Sequence, residues 1–170
     1  MPMGAQRLRI SVLPVVSPDP KAKQWPMPPT AKKAWPARAS HVFGGDTLSA
    51  LTDGLVPKNS GDQTIPRFTW WEHKGTQEWV EIDLPRPMDL KSVEVYWFDD
   101  RGRGECRIPS SWNCSAYIGD SWRTVGSRDS AVLNGWDKVV VNETGSATKI
   151  RISAQLMPNF SSGILEVRVK

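Results

Sequence analysis

An antiparallel β-sandwich is the fold class that the sequence predicts, on three observations. Apolar residues recur at every second position in at least seven short segments. Gly, Pro, Asn and Asp separate those segments, as turns do in an all-β chain. Nine Trp among 170 residues, beside only two Tyr and four Phe, supply large indoles that fill the space between sheets well; exposed ones stack on flat apolar ligand faces. A chain of this length, 39% hydrophobic and 24% charged, has room for one substantial core.

The elements follow in order. Residues 1–38 form an N-terminal extension. Arg7 to Leu13 alternates for one strand's length, and the Pro-rich stretch behind it reads as a linker: eight of the fourteen prolines fall in the first forty residues. That leading strand is either the tail of a preceding domain or a segment folding back on the main module. The main module spans 39–170. Its one helical piece is expected over Asp46 to Leu51, with Asp46 as the cap and Gly54 at the end. Strands are expected over Trp79 to Leu84, with Val80, Ile82 and Leu84 on one face, and over Lys91 to Trp97, with Val93, Val95 and Trp97 inward. Ser111 to Ile118 repeats the period through Trp112, Cys114, Ala116 and Ile118. Trp122 to Val125, Lys138 to Val141, Ile150 to Ala154 and a closing strand through Leu165, Val167 and Val169 complete the set. Trp79, Trp97, Trp112 and Trp122 follow strand parity and are read as packing residues, while Trp25 and Trp35 are placed to pin the linker on a domain.

Charge excludes some classes. Residues 1–40 hold seven of the 22 basic side chains against one of the 18 acidic ones, so 41–170 carry 15 against 17. A surface that tracks phosphates needs its basic excess on the folded part, so no nucleic-acid partner is expected despite the net charge of +4. No run reaches the ~18 apolar residues of a membrane span, and the first residues lack a secretory apolar stretch with a cleavage site. No membrane partner is expected. Cys106 and Cys114 either pair or stay as one buried and one loop thiol. Catalytic signatures are missing too: no Gly-x-Ser-x-Gly elbow, no zinc-spaced Cys/His pair, no phosphate-cradling glycine loop.

The order of Thr52-Asp53-Gly54, an indole-rich segment, EWVEIDL, KSVEVYW, IPSSWNCSAYIGDSWRTV and the closing KIRISAQ and ILEVRV resembles the galactose-binding-like jelly roll over about residues 40–170. That family includes discoidin (coagulation factor 5/8 type C) domains and family 32 carbohydrate-binding modules. IPRFTWWEHKGTQEWVEIDL and VEVYWFDDRGRGECRIPSSW are more similar still to the C-terminal accessory domain of bacterial β-L-arabinofuranosidase-type glycoside hydrolases. The resemblance implies a non-catalytic module that binds plant or microbial polysaccharide, with galactose- or arabinose-type sugars, and delivers an attached hydrolase to it. It also implies an extracellular or periplasmic setting within a larger secreted enzyme. The alternative is a structural accessory domain that packs on its parent hydrolase without touching sugar.

Three constellations carry the expected chemistry. The loop Phe98 to Pro109 gathers Asp99, Asp100, Arg101, Arg103, Glu105 and Arg107, carboxylates that accept from vicinal hydroxyls and guanidiniums that donate in a fixed fork. Either it binds a polyol or its charges satisfy one another and order the connection. In Phe68 to Lys74, adjacent residues of an extended segment point to opposite faces, so Trp70 and Trp71 cannot both enter the core. Trp71 is then a stacking platform, with Glu72 and His73 available to hydroxyls, or an indole covering the sandwich edge. Asn159 and Phe160 are candidates for a further ligand loop. The resemblance implies, third, a structural Ca2+ held by Asp53 and Glu166, with Asn59 and Asp62 from a longer loop than the family's usual one completing six to eight oxygens. The competing reading of Asp53 is a turn cap before Gly54.

Overall fold

The structure is a computed structural model and describes residues 31–170. The expected strand Arg7 to Leu13 and Trp25 lie outside the described residues. Nine strands follow in chain order: β1 (Ala37–Ala39), β2 (Phe68–Thr69), β3 (Gln77–Asp89), β4 (Ser92–Phe98), β5 (Ser111–Ile118), β6 (Ser121–Arg128), β7 (Trp136–Val140), β8 (Ser146–Gln155) and β9 (Gly163–Val169). They form two antiparallel sheets, ordered β1-β3-β8-β5-β6 and β2-β9-β4-β7. No helix among the described residues is long and apolar enough to cross a membrane.

The period-2 pattern decides which side chains meet between the sheets. Val80 and Ile82 of β3, Ile150 and Ile152 of β8, and Trp112, Cys114 and Ala116 of β5 face Val93, Val95 and Trp97 of β4 and Ile164 and Val167 of β9. Trp97 and Trp112 meet edge to face at 5.6 Å. Their indole N–H groups donate to the same Asp137 oxygen at 3.1 and 2.8 Å, and the Val132 amide adds a third bond at 3.0 Å. Arg128 approaches the other oxygen at 3.2 Å. A fully buried carboxylate is thus held by three donors and a guanidinium, the condition under which burying a charge is tolerable.

Three expectations need correction. In β9 it is Ile164, not Leu165, that points into the core with Val167, because the pairing register with β4 shifts between Tyr96 and Trp97. Leu165 packs instead with Tyr96, Phe98 and Cys106 on the opposite face. One extra residue inverts the parity of everything before it. The helical piece is a 3-10 turn, Leu48–Leu51, capped by Thr47 accepting from the Ser49 amide, and Thr52 closes it. Asp46 is drawn away by Arg67 at 3.0 Å and by the Thr69 hydroxyl. Residues 37 and 38, assigned to the linker by composition, belong to the sheet edge, and Trp35 ahead of them packs on the core while its amide donates to Thr52 Oγ1 at 2.8 Å. Trp79 and Trp122 are packing residues as expected: they sit half-buried on the outer face of the five-stranded sheet, with the Arg151 guanidinium 5.4 and 4.6 Å from their ring centres.

Candidate functional site

Three connections meet at one end of the sandwich: the segment after β2, the β4–β5 loop and the β8–β9 loop. Gly163 lets the first lie flat on β9, since a Cβ there would stand 2.3 Å from the Phe68 carbonyl. The third is zipped to the second by a bridge between Cys106 and Ser161, with the Arg107 amide donating to the Ser161 carbonyl at 2.9 Å. Between the first and second lies a concavity of about 170 Å³, whose walls include Trp71, Asp100, Glu105, Arg67 and Phe43.

The tandem indoles separate as extended backbone requires. Trp70 is fully buried, edge to face with Phe68 at 5.2 Å. Trp71 is half-buried on the rim of the concavity, its inner side against the Tyr96, Phe98 and Leu165 cluster. Lys74 Nζ stands 5.1 Å from the Trp71 ring centre and 2.8 Å from Glu105, so one solvent-exposed pair arches over the indole. Glu72 is exposed beside it. The position of Trp71 is fixed from behind. His41 bonds the Trp71 carbonyl at 2.7 Å and stacks on His73 at 4.0 Å; His73 in turn meets Glu78 at 2.6 Å. Glu78 also accepts from Thr76 and Ser40. Burial works to raise its carboxyl, but the Ser40, Thr76 and His73 bonds outweigh that and hold it below its ordinary range. His41 was not read as a site residue, since nothing local ties it to a segment 30 positions away.

The charged loop divides its residues. Asp99, buried, accepts the Arg101 amide and two guanidinium bonds at 2.9 and 2.7 Å, plus the Ile108 amide at 3.1 Å. Burial pushes its carboxyl up, yet the Arg101 and Ile108 bonds win and hold it well below the usual carboxylate range. Asp99 and Arg101 therefore serve each other, on the side of the loop away from Trp71. Asp100 faces Trp71 and accepts the Cys106 amide at 2.8 Å. Gly104 leaves room for it, since a Cβ at 104 would push the Asp100 carboxylate aside. Arg103 is exposed at the tip. Arg107 folds back, donating to the Gly104 and Cys106 carbonyls at 3.0 and 2.7 Å, with its guanidinium 4.4 Å over the Phe160 ring. Asn159, next to Phe160, is an exposed residue with φ of 64°. Of the expected ligand residues, Trp71 and Asp100 share the concavity; Arg107 and Phe160 form a neighbouring pair. Phe43, Arg67 and Glu105 complete the walls, and of these only Glu105 stood out in the sequence, by its place in the loop. Cys106 and Cys114 are both free and buried, and burial pushes both thiols up to about 12.

Asp53 and Glu166 converge at a different concavity, beside the Gly54 turn. The Gly54 amide donates to both Glu166 oxygens at 3.2 Å, Asp53 Oδ1 accepts from Leu55 at 2.9 Å, and Asp53 Oδ2 is buried with no partner among the described residues. Burial, then the neighbouring Asp53, pushes the Glu166 carboxyl up to about 9, and burial raises Asp53 as well. Asn59 and Asp62 do not join them. Asn59 Oδ1 accepts from Gly61, and Asp62 accepts from Lys58 and Thr64, so both are used within their own loop. No group of three acidic, His or Cys side chains suited to a metal occurs among the described residues.

No protein-family model matches this sequence, and no curated protein matches it either. Solved structures do match in fold. The family 32 carbohydrate-binding module of Clostridium perfringens NanJ, solved with galactose, has a TM-score of 0.62 at 18% identity, covering 79% of this chain and 91% of that one. Chitosan-binding module 1 of a Paenibacillus chitosanase/glucanase gives 0.60 at 18%, covering 80% and 94%. The family 32 module of AlyQ, solved with 4,5-unsaturated mannuronic acid, gives 0.58 at 21%, covering 79% and 93%. The chain is therefore an all-β sandwich with the fold of these galactose-binding-like modules.

Proposed function

We infer that the sandwich is a non-catalytic carbohydrate-binding module that brings an attached glycoside hydrolase to polysaccharide carrying galactose- or arabinose-type sugars. One observation carries this reading: the partly exposed indole of Trp71 lines the loop-end concavity together with Asp100 and Glu105. An indole offers a flat apolar surface to the C–H face of a sugar ring, while the carboxylates accept from its hydroxyls. The Lys74 to Glu105 pair is no barrier to entry, because an exposed ion pair contributes only about 0.2–1 kcal/mol and its members can re-bond to hydroxyls.

The size of the concavity sets the expected strength. At about 170 Å³ it is smaller than the ~300–1,000 Å³ of small-molecule pockets, so it suits about one sugar ring and weak affinity. Tethering makes weak affinity useful, since encounter with the polymer becomes intramolecular for the attached enzyme. Hydrolysis would need a carboxyl of raised pKa across the scissile bond from a second one. The raised carboxyls here, Asp53 and Glu166, are buried beside the Gly54 turn and line no part of the Trp71 concavity. A buried Asp53 oxygen without a donor, beside the buried Glu166 carboxyl, suits a cation, and we assign that role to a structural Ca2+ held by Asp53 and Glu166, with backbone carbonyls in place of Asn59 and Asp62. When bound it would supply positive charge that holds the Gly54 turn to β9.

The competing reading, a domain packed on its parent enzyme, calls for a contiguous apolar face. The exposed large apolar residues among those described are Val42, Phe43, Val56 and Val140, which come from three separate segments. Affinity electrophoresis through gels containing galactan, arabinan and arabinogalactan tests the binding reading. Retardation by at least one of them is expected, and free migration through all of them would leave the packing role in its place.

A further inference from the structure

The β4–β5 loop has two sides, and the side away from Trp71 is also concave. Asp99, Arg101, Asn59, Leu133 and Asn134 line a hollow of about 290 Å³ there. Its polar groups share one property. The Asn59 side-chain oxygen accepts the Gly61 amide at 2.9 Å, and the Asn134 side-chain oxygen accepts the Ser60 amide at 2.9 Å. A backbone amide can only donate, so both side-chain oxygens are fixed on the loop and both NH2 groups are left for the hollow. Arg101 repeats the arrangement. Its Nε and one terminal nitrogen are fixed on buried Asp99, while its side chain remains 54% exposed and its other terminal nitrogen keeps free donors. Every acceptor oxygen of Asp99 is already engaged.

The side chains of the hollow thus present donors, with their own acceptor oxygens turned inward. It is also held in shape. The Asn134 amide returns a bond to Ser60 Oγ at 2.9 Å, locking Asn134 with its left-handed φ of 57° against the Asn59 loop. A hydroxyl, which donates as well as accepts, leaves its own proton without a partner among such groups. An anionic oxygen group only accepts, and bonds from amide and guanidinium donors to it are the stronger kind.

We propose that this hollow is a second subsite, which takes an anionic oxygen group, the carboxylate of a uronic acid or a sulfate ester, on the glycan whose ring lies against Trp71. The proposal rests on the carbohydrate-binding reading and narrows it: the ligand is an acidic polysaccharide that crosses the β4–β5 loop, its neutral ring on one side and its anion on the other.

The test is calorimetric titration of the full chain with three oligosaccharides of equal length at one ionic strength: neutral galactan, galacturonan and a sulfated galactan. At least one acidic ligand should bind ten-fold or more tighter than the neutral one, and which of the two does so tells whether carboxylate or sulfate fills the subsite. Asn59→Asp with Asn134→Asp keeps both inward oxygens while replacing the outward donors with acceptors. It should cancel the acidic preference and leave galactan affinity unchanged. Ser121→Asp with Ser127→Asp, which adds the same charge on β6, should leave the preference intact, and Arg101→Gln should reduce it should the double variant not fold. Equal affinity for all three ligands, or a preference that survives both subsite variants, would overturn the subsite alone. Silence towards all three would remove the sugar reading with it.

Discussion

Trp70 and Trp71 are neighbours of identical chemistry with opposite surroundings. Trp70 is sealed in the core, and its indole N–H reaches the Trp79 carbonyl at 3.3 Å. Trp71 shows part of its ring to solvent and is steered by His41 through its backbone. The difference separates what an indole does for stability from what it can do for a ligand. Buried carboxylates repeat the contrast. One Asp137 oxygen takes three N–H donors and the other lies 3.2 Å from the Arg128 guanidinium, whereas one Asp53 oxygen beside Glu166 has no donor, and it is there that the proposed cation would sit.

Substitutions can sharpen or break these contrasts. Trp70→Ala should cost about 3–5 kcal/mol in denaturant unfolding, as truncation of a fully buried aromatic does, and a loss under 1 kcal/mol would mean that the core is not closed around it. Asp137→Ala comes next, at about 2–4 kcal/mol, because two indole N–H groups would be left buried without an acceptor. Its stability loss should shrink in Trp97→Phe, where one of those donors is gone; an undiminished loss would show that the indoles do not depend on Asp137.

The Asp53 and Glu166 pair predicts a pH effect of determinate sign. Glu166 takes up its proton at about 9 in the fold against an ordinary 4.5, so between those values the folded state holds a proton that the unfolded chain has released. Stability in chelator should therefore fall as pH rises through that window, and Asp53, also raised, adds in the same direction. Calcium should raise the melting temperature by several degrees, most at the alkaline end, where it replaces the lost proton. A chelated protein whose melting temperature is flat from pH 5 to 9, with no calcium response, would contradict the reading.

Strand parity makes most of the fold legible in the sequence. Val80, Ile82, Trp112 and Cys114 lie where alternation places them. The exceptions share a cause, which is interaction over long sequence separation. Leu165 turned outward through a register shift against β4, and Asp46 left its cap position for Arg67 and Thr69. The site was half legible in the same sense. That Trp70 and Trp71 must part follows from backbone geometry alone, and Arg101 folding onto Asp99 is one of two readings the dense charges of that loop leave open, whereas Phe43 and Arg67 arriving beside Trp71 depends on loop conformation that no local pattern encodes.

The smallest stability effect carries the functional question. Trp71→Ala should cost about 1–2 kcal/mol of unfolding free energy, less than Trp70→Ala, since part of the ring faces solvent while its inner side packs on the Tyr96, Phe98 and Leu165 cluster. Titrated with the best galactan or arabinan ligand of the intact protein, that variant should bind at least ten-fold more weakly while keeping its fold. Undiminished binding by a folded Trp71→Ala variant would show that sugar, where it binds, does not rest on this indole.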